Sequence, residues 1–253
     1  MNHKEQFYKC GIVVPCYNES KRLETSSFFN FLEKSTDIFF VFINDGSTDS
    51  TSSVLKKISD EYPDRVHIID LPINLGKAEA IRNGIRYLLN NKDCLIGYWD
   101  ADLSTSLFEI PIFIDYLAKH QNIHFIMGSR IKRMGASIKR SIARHYFGRI
   151  FSTAVSIILK LPVYDTQCGA KLIRRELAEI IFQDRFISRW LFDVELIARI
   201  IRAYGYSKTM DCIFELPLSS WIDEGESKVK IMDFLRSPYE LLRIKLQYWA
   251  VLK

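Results

Sequence analysis

Several things are scarce in this chain, and each scarcity closes off a class of protein. Five cysteines, at positions 10, 16, 94, 168 and 212, include no C-x-x-C pair, so neither a disulfide framework nor a cysteine zinc site is expected; reduced thiols in a reducing, cytosolic compartment are. Seven prolines and 11 glycines among 253 residues form no linker or low-complexity tract, and no repeat is visible, so residues 1–253 read as one domain. No apolar stretch supplies the ~20 residues of a bilayer span, and the polar segment from Met1 to Lys9 lacks the apolar core of a signal peptide. Neither export nor a membrane span is expected. Acidic residues are missing altogether from 116 to 164, where Lys119, Arg130, Lys132, Arg133, Lys139, Arg140, Arg144, Arg149 and Lys160 stand. Such a stretch suits phosphates, nucleic acid or an anionic membrane, with a solvated basic face as the plain alternative.

What is present is an alternation of short apolar runs with helical periodicity. Cys10 to Pro15, Ile38 to Asn44, Val66 to Leu71, Cys94 to Asp100 and His124 to Ser129 read as strands covered on both faces. Helices are expected at Leu23 to Lys34, Thr48 to Glu61, Lys77 to Asn90 and Leu107 to Lys119. This order predicts an α/β fold with a mostly parallel central sheet, helices on both faces, and ligand sites at the carboxyl ends of the strands. Within the domain, 1–130 forms the first half, 131–228 a second half carrying a basic helix at Ser141 to Leu161, and 229–253 a C-terminal amphipathic segment. That basic helix suits either a membrane interface or a core with a basic edge. A further helix is expected at Trp190 to Tyr204 and a strand at Thr209 to Leu216, and Pro238 is expected to break or kink the last segment.

Three of the strand ends carry acid-bearing loops: V-V-P-C-Y-N-E-S, I-N-D-G-S-T-D-S-T and Y-W-D-A-D-L-S-T. In extended backbone, residues two apart share a side, so Asp100 and Asp102, flanking Ala101, can present oxygens to a hard divalent cation; an Asx turn or helix cap is the alternative. Ser47 or Thr48 can cap the next helix, which leaves Asp45 to accept hydrogen bonds from a base ring. Lys77 opens a helix after a glycine, where anions are favoured. Arg130, Arg140 and Arg144 follow the fifth strand and suit a phosphate clamp through bidentate guanidinium geometry.

These stretches, together with N-L-G-K-A-E-A-I-R-N-G-I, M-G-S-R, V-Y-D-T-Q-C-G-A-K-L-I-R-R-E, W-L-F-D-V-E-L-I and S-W-I-D-E-G-E-S-K-V-K, resemble inverting glycosyltransferases of family 2, in the branch of dolichyl-phosphate glucosyltransferases and mannose synthases. The resemblance spans nearly the whole chain and implies the glycosyltransferase A-type nucleotide-sugar-binding fold. It implies nucleoside contacts from Pro15, Tyr17, Glu19 and Asp45, and Mg2+ or Mn2+ held by Asp100 and Asp102 against the donor diphosphate. It places Arg130 and either Arg140 or Arg144 at phosphates, Gln167 and the segment from Trp190 to Glu195 on the sugar and acceptor side, and Lys228 over that side. Relatives often carry transmembrane helices flanking this domain, which are not expected here.

Inverting transfer needs an in-line nucleophile and a stabilised leaving group, the latter supplied by the metal on Asp102 and by the arginines, Arg130 first. A polyprenyl phosphate brings its own anionic oxygen, whereas a hydroxyl acceptor needs a base. Asp193 is the base candidate, because Leu191, Val194, Ala198 and Ile201 form an apolar stripe that leaves it off the buried face; a surface salt bridge is the alternative. The expected reaction moves glucose from UDP-glucose to a polyprenyl phosphate at the cytoplasmic membrane face, with peripheral membrane contact through the basic helix. The alternatives are a glycan hydroxyl as acceptor and GDP-mannose as donor. A nucleic-acid-binding domain fits poorly, since it leaves the acidic loops unexplained and has few aromatic platforms among the basic residues.

Overall fold

The structure, a computed structural model, describes residues 10–90, 95–139, 142–222 and 231–252. The apolar runs become strands: β1 (Cys10–Cys16), β2 (Ile38–Asp45), β3 (Val66–Leu71), β4 (Leu95–Trp99) and β5 (Phe125–Ser129). Between them lie α1 (Thr25–Lys34), α2 (Thr51–Glu61), α3 (Lys77–Leu88) and α4 (Glu109–Lys119). Beyond β5 come β6 (Ser137–Lys139), α5 (Ile142–Leu159), β7 (Ala170–Ile173), α6 (Arg175–Ile181), α7 (Phe192–Cys212), β8 (Ile213–Pro217), β9 (Ser220–Ile222), α8 (Ile231–Gln247) and α9 (Trp249–Leu252).

Seven strands form one sheet in the order β3-β2-β1-β4-β7-β5-β8, and β6 pairs with β9 in a separate ribbon. The large sheet is parallel except for β7, which runs antiparallel to both β4 and β5. Side chains alternate across it with the period of two that extended backbone imposes. Ile12, Val14, Phe40, Phe42 and Trp99 face the layer of α1, α2 and α4, while Val13, Val41, Ile43 and Tyr98 face that of α3, α6 and α7. Both faces are therefore covered, and all the parallel strands present their carboxyl ends along one edge.

Three expectations need correction. The strand expected from Thr209 begins only at Ile213, because α7 continues to Cys212 across an interruption at Gly205, whose φ of 76° and ψ of 168° only glycine adopts without strain. Pro238 lies inside α8 and does not end it; Leu241, Ile244 and Tyr248 beyond it are buried in the shared core and hold the helix there. Neither Ser47 nor Thr48 caps α2, whose cap position is Ser50.

Candidate active site

The loops after β1 and β2 are laced together. Asn18 N–H donates to Ser47 Oγ and Asn18 Oδ1 accepts the Thr48 N–H, Glu19 N–H donates to Thr51 Oγ1 at 2.8 Å, and Ser20 donates to Asp49 through both N–H and hydroxyl. Partial burial raises the Asp49 carboxyl, but the bonds from Ser20 and Thr51 outweigh it and hold its pKa at about 2. This lacing is why Ser47 and Thr48 are unavailable to α2. Tyr17 is exposed at the rim, Pro15 half-buried and Glu19 buried beneath it. Asp45, at 2% exposure, accepts the Leu75 and Gly76 N–H groups at 2.7 and 2.9 Å and the Asn74 amide at 3.1 Å. Its carboxylate thus already fixes the loop that opens α3.

Each carboxylate of the D-x-D meets a cation from a flanking element. Lys77 Nζ lies 2.5 Å from Asp100 Oδ1, and Arg22 Nη2 lies 2.9 Å from Asp102 Oδ2. Burial lowers the pKa of Lys77, but Asp100 and Asp193 outweigh it, so the ammonium is held charged above its ordinary range. Ala101, between them, is buried in the core, so its side chain underpins the turn. Trp99 Nε1 donates to Thr105 O and closes the loop.

The third wall is the segment from Asp165 to Gly169, leading into β7. Asp100 N–H donates to Gly169 O at 3.0 Å, and a Cβ on Gly169 would fall 1.9 Å from Asp100 Oδ2. Gln167 Nε2, in the same segment, is buried with no hydrogen-bond partner among the described residues. Arg130, expected at phosphates, is engaged otherwise: its guanidinium grips Asp165 bidentately at 2.6 and 2.7 Å, over the Trp221 ring. Burial lowers its pKa and the Asp165 carboxylate more than restores it. Asp165 in turn rests beside Glu215, which accepts the Tyr164 and Asp165 N–H groups.

Asp193 also departs from expectation. It is 4% exposed, because every residue from Phe192 to Ile201 is buried and no side of this part of α7 faces solvent. Its Oδ1 accepts the Tyr98 hydroxyl at 2.5 Å and pairs with Lys171 Nζ at 2.7 Å. Glu195 points elsewhere, to Arg199. Trp190 is half-buried against Phe151 of α5. Arg140 and Lys228 lie outside the described residues, and so does the side chain of Arg144, although its backbone belongs to α5. Sequence reasoning missed Arg22, Lys171, Asp165 and Arg189, whose guanidinium bonds Asn74 and covers Gly76. Only Lys171 had a visible signal, a lone charge inside the apolar run A-K-L-I.

Comparison with known proteins identifies the family and the fold. The model of the family described as glycosyl transferase family 2 matches residues 11–182. A dolichyl-phosphate beta-glucosyltransferase of Trichomonas vaginalis is 31% identical over 245 residues, covering 92% of this chain and 72% of that protein. The enzyme so named from Mus musculus is 32% identical over 257 residues, with 94% and 75% covered. Among solved structures, glucosyl-3-phosphoglycerate synthase from Mycobacterium tuberculosis, crystallised with Mn2+, uridine diphosphate and glucosyl-3-phosphoglycerate, superposes with a TM-score of 0.69 at 16% identity, covering 97% of this chain and 81% of that one. That likeness concerns the fold.

Proposed function

The chain belongs to glycosyl transferase family 2, and from that premise we propose that it transfers glucose from UDP-glucose to a polyprenyl phosphate of the dolichyl type, with inversion. The observation that carries the choice of acceptor is the engagement of Asp193. A hydroxyl acceptor needs a base within reach, and the carboxylate best suited to that role by sequence is buried and holds Tyr98 and Lys171. A phosphate acceptor arrives ionised and needs none. The names of the relatives point the same way.

On the donor side, Asp100 and Asp102 offer two hard oxygen ligands, the chemistry Mg2+ or Mn2+ requires, and their pairs with Lys77 and Arg22 would open to admit the ion. Such an ion supplies charge neutralisation for the leaving diphosphate. Lys77 and Arg22 then remain beside the same phosphates. Tyr17 and Pro15 line the nucleoside side, Asp45 holds the loop beneath it, and Gln167 Nε2, without a partner among the described residues, fits a sugar hydroxyl. Arg130 shapes the Asp165 to Gly169 wall. With UDP-[14C]glucose, dolichyl phosphate and Mn2+, organic-extractable label is expected. Label appearing only in water-soluble products, or only from GDP-mannose, would sink this reading.

Membrane contact is part of the same proposal. No helix among the described residues is long and apolar enough to cross a membrane. Helices α5 and α8 bury Val155, Leu159, Leu241 and Ile244 in one core and turn Ile150, Ile157, Tyr239, Leu242 and Leu246 outward. The β5–β6 loop adds a fully exposed Met134 beside Lys132 and Arg133. Apolar faces flanked by basic residues suit an anionic bilayer surface. The double variant Ile150→Glu with Leu246→Glu is expected to lower co-sedimentation with phosphatidylglycerol vesicles at least about 100-fold, each buried apolar side chain being worth roughly 1.5–3 kcal/mol and each 1.4 kcal/mol a factor of ten. Transfer to a short water-soluble isoprenyl phosphate stays unchanged.

A further inference from the structure

A lysine at 0% exposure inside a central strand demands an explanation, because a buried ammonium is tolerated only when paired and hydrogen-bonded. Lys171 sits in β7, the one antiparallel strand of the sheet, directly opposite Tyr98 of β4. Its Nζ donates to Thr166 O at 3.0 Å and to Cys168 O at 2.6 Å and pairs with Asp193 Oδ1 at 2.7 Å. The Tyr98 hydroxyl completes the group by donating to the same Asp193 oxygen, with its ring 5.2 Å from the ammonium. Burial first, and Asp193 second, raise the pKa of Tyr98, so it stays a donor.

These bonds have a direction. Asp193 comes from α7, Lys171 from β7, and the two carbonyls from the turn whose next residue, Gly169, both accepts the Asp100 N–H and leaves room for the Asp100 carboxylate. The chain of contacts therefore runs from the helix, through the sheet, to the first aspartate of the D-x-D. It also crosses the backbone on both sides of Gln167.

We propose that Asp193 and Lys171 are positioning residues: a buried carboxylate–ammonium strut that holds the turn from Thr166 to Gly169 at the height at which Asp100 and Gln167 meet the donor. Asp193 thus acts on the reaction through Lys171 and takes no proton from the acceptor. The proposal rests on the donor-site reading of Asp100, and it adds two residues and a task that membership in the family does not assign here.

The test uses the full chain and three variants, Asp193→Asn, Lys171→Met and the double variant. The double variant guards against misfolding, because removing both charges leaves no unpaired buried ion. In ligand-free protein, hydrogen exchange is expected to rise about tenfold at the amides of residues 166–169 and at Asp100, and to stay unchanged in α1 and α2. This readout stands whatever the sugar or acceptor proves to be. Titration of Mn2+ with UDP, followed by electron paramagnetic resonance, is expected to show about tenfold weaker binding in each variant, with the double variant no worse than Lys171→Met. The pH profile of kcat keeps its acid limb in Asp193→Asn. A general base gives the opposite pattern: wild-type exchange and Mn2+ binding, with turnover down a thousandfold and the acid limb lost. That pattern, or wild-type behaviour in every readout, overturns the proposal.

Discussion

Gly169→Ala is expected to abolish most transfer while leaving the protein folded. A Cβ at this position would stand 1.9 Å from Asp100 Oδ2 and 2.1 Å from its Cγ, far inside any permitted contact. The atoms that must yield belong to the end of a partly exposed side chain, so the clash is relieved by swinging the Asp100 carboxylate away. The sheet itself need not move. What is lost is the placement of one of the two D-x-D oxygens and the Lys77 pair that accompanies it. Misplacing a reacting group by about 1 Å costs on the order of 100-fold, and turnover is expected to fall by at least that much, with Mn2+ affinity falling in parallel. Gly97→Ala makes the contrasting control, because there the added Cβ meets the Lys171 backbone oxygen at 2.3 Å and the strand pairing of β4 with β7 must give. Thermal unfolding separates the two: Gly169→Ala keeps its Tm within a few degrees, Gly97→Ala does not. Wild-type turnover in Gly169→Ala would remove Asp100 from the donor site.

The parts of this molecule that were legible in its sequence are those where a residue's job is settled by its immediate neighbours. Short continuous runs rich in Ile, Val and Phe, such as Ile38 to Asn44, read as covered strands, and the acid-bearing loops that follow such strands then line the carboxyl edge of a parallel sheet. Illegible were the pairings made across the sheet. Nothing local tells that Arg130 grips Asp165, 35 residues away, or that Lys171 reaches Asp193. The stripe on α7 misled for a related reason. Leu191, Val194, Ala198 and Ile201 do mark a buried face, but α6, α8 and α9 enclose the remaining faces, and helical periodicity reports only the side packed first. Asp45 shows a third limit. Its side chain lacked a local partner in sequence, and the partners that the fold supplies, at Asn74 to Gly76, come from a loop one strand further on.

The same reasoning gives the largest expected loss of stability, at Arg199→Met. Arg199 is 2% exposed and its partner Glu195 is fully buried. The guanidinium donates to Glu195 Oε1 at 2.8 Å and to the carbonyls of Ile181, Asp184 and Arg185. Glu195 also accepts the Ile187 and Ser188 N–H groups and the Tyr248 hydroxyl. One pair thereby pins the loop between α6 and α7 and ties it to the residue that precedes α9. Methionine fills most of the volume but leaves a buried carboxylate without its counterion and three carbonyls without a donor. Breaking a buried pair from one side costs about 3–5 kcal/mol, which at ~2–4 °C per kcal/mol for a chain of this size lowers Tm by roughly 6–20 °C. The effect extends to the site, because the pinned loop carries Arg189 over Gly76 at the start of α3. UDP affinity is therefore expected to fall even at temperatures where Arg199→Met remains folded, and Glu195→Gln, which strands the buried Arg199 guanidinium and turns one of two accepting oxygens into a donor, is expected to lose stability by a similar amount. A Tm within about 2 °C of wild type in Arg199→Met would show that the loop is held by its apolar contacts alone, with Phe186 packed between Phe182 and Phe192 carrying the load assigned to the ion pair.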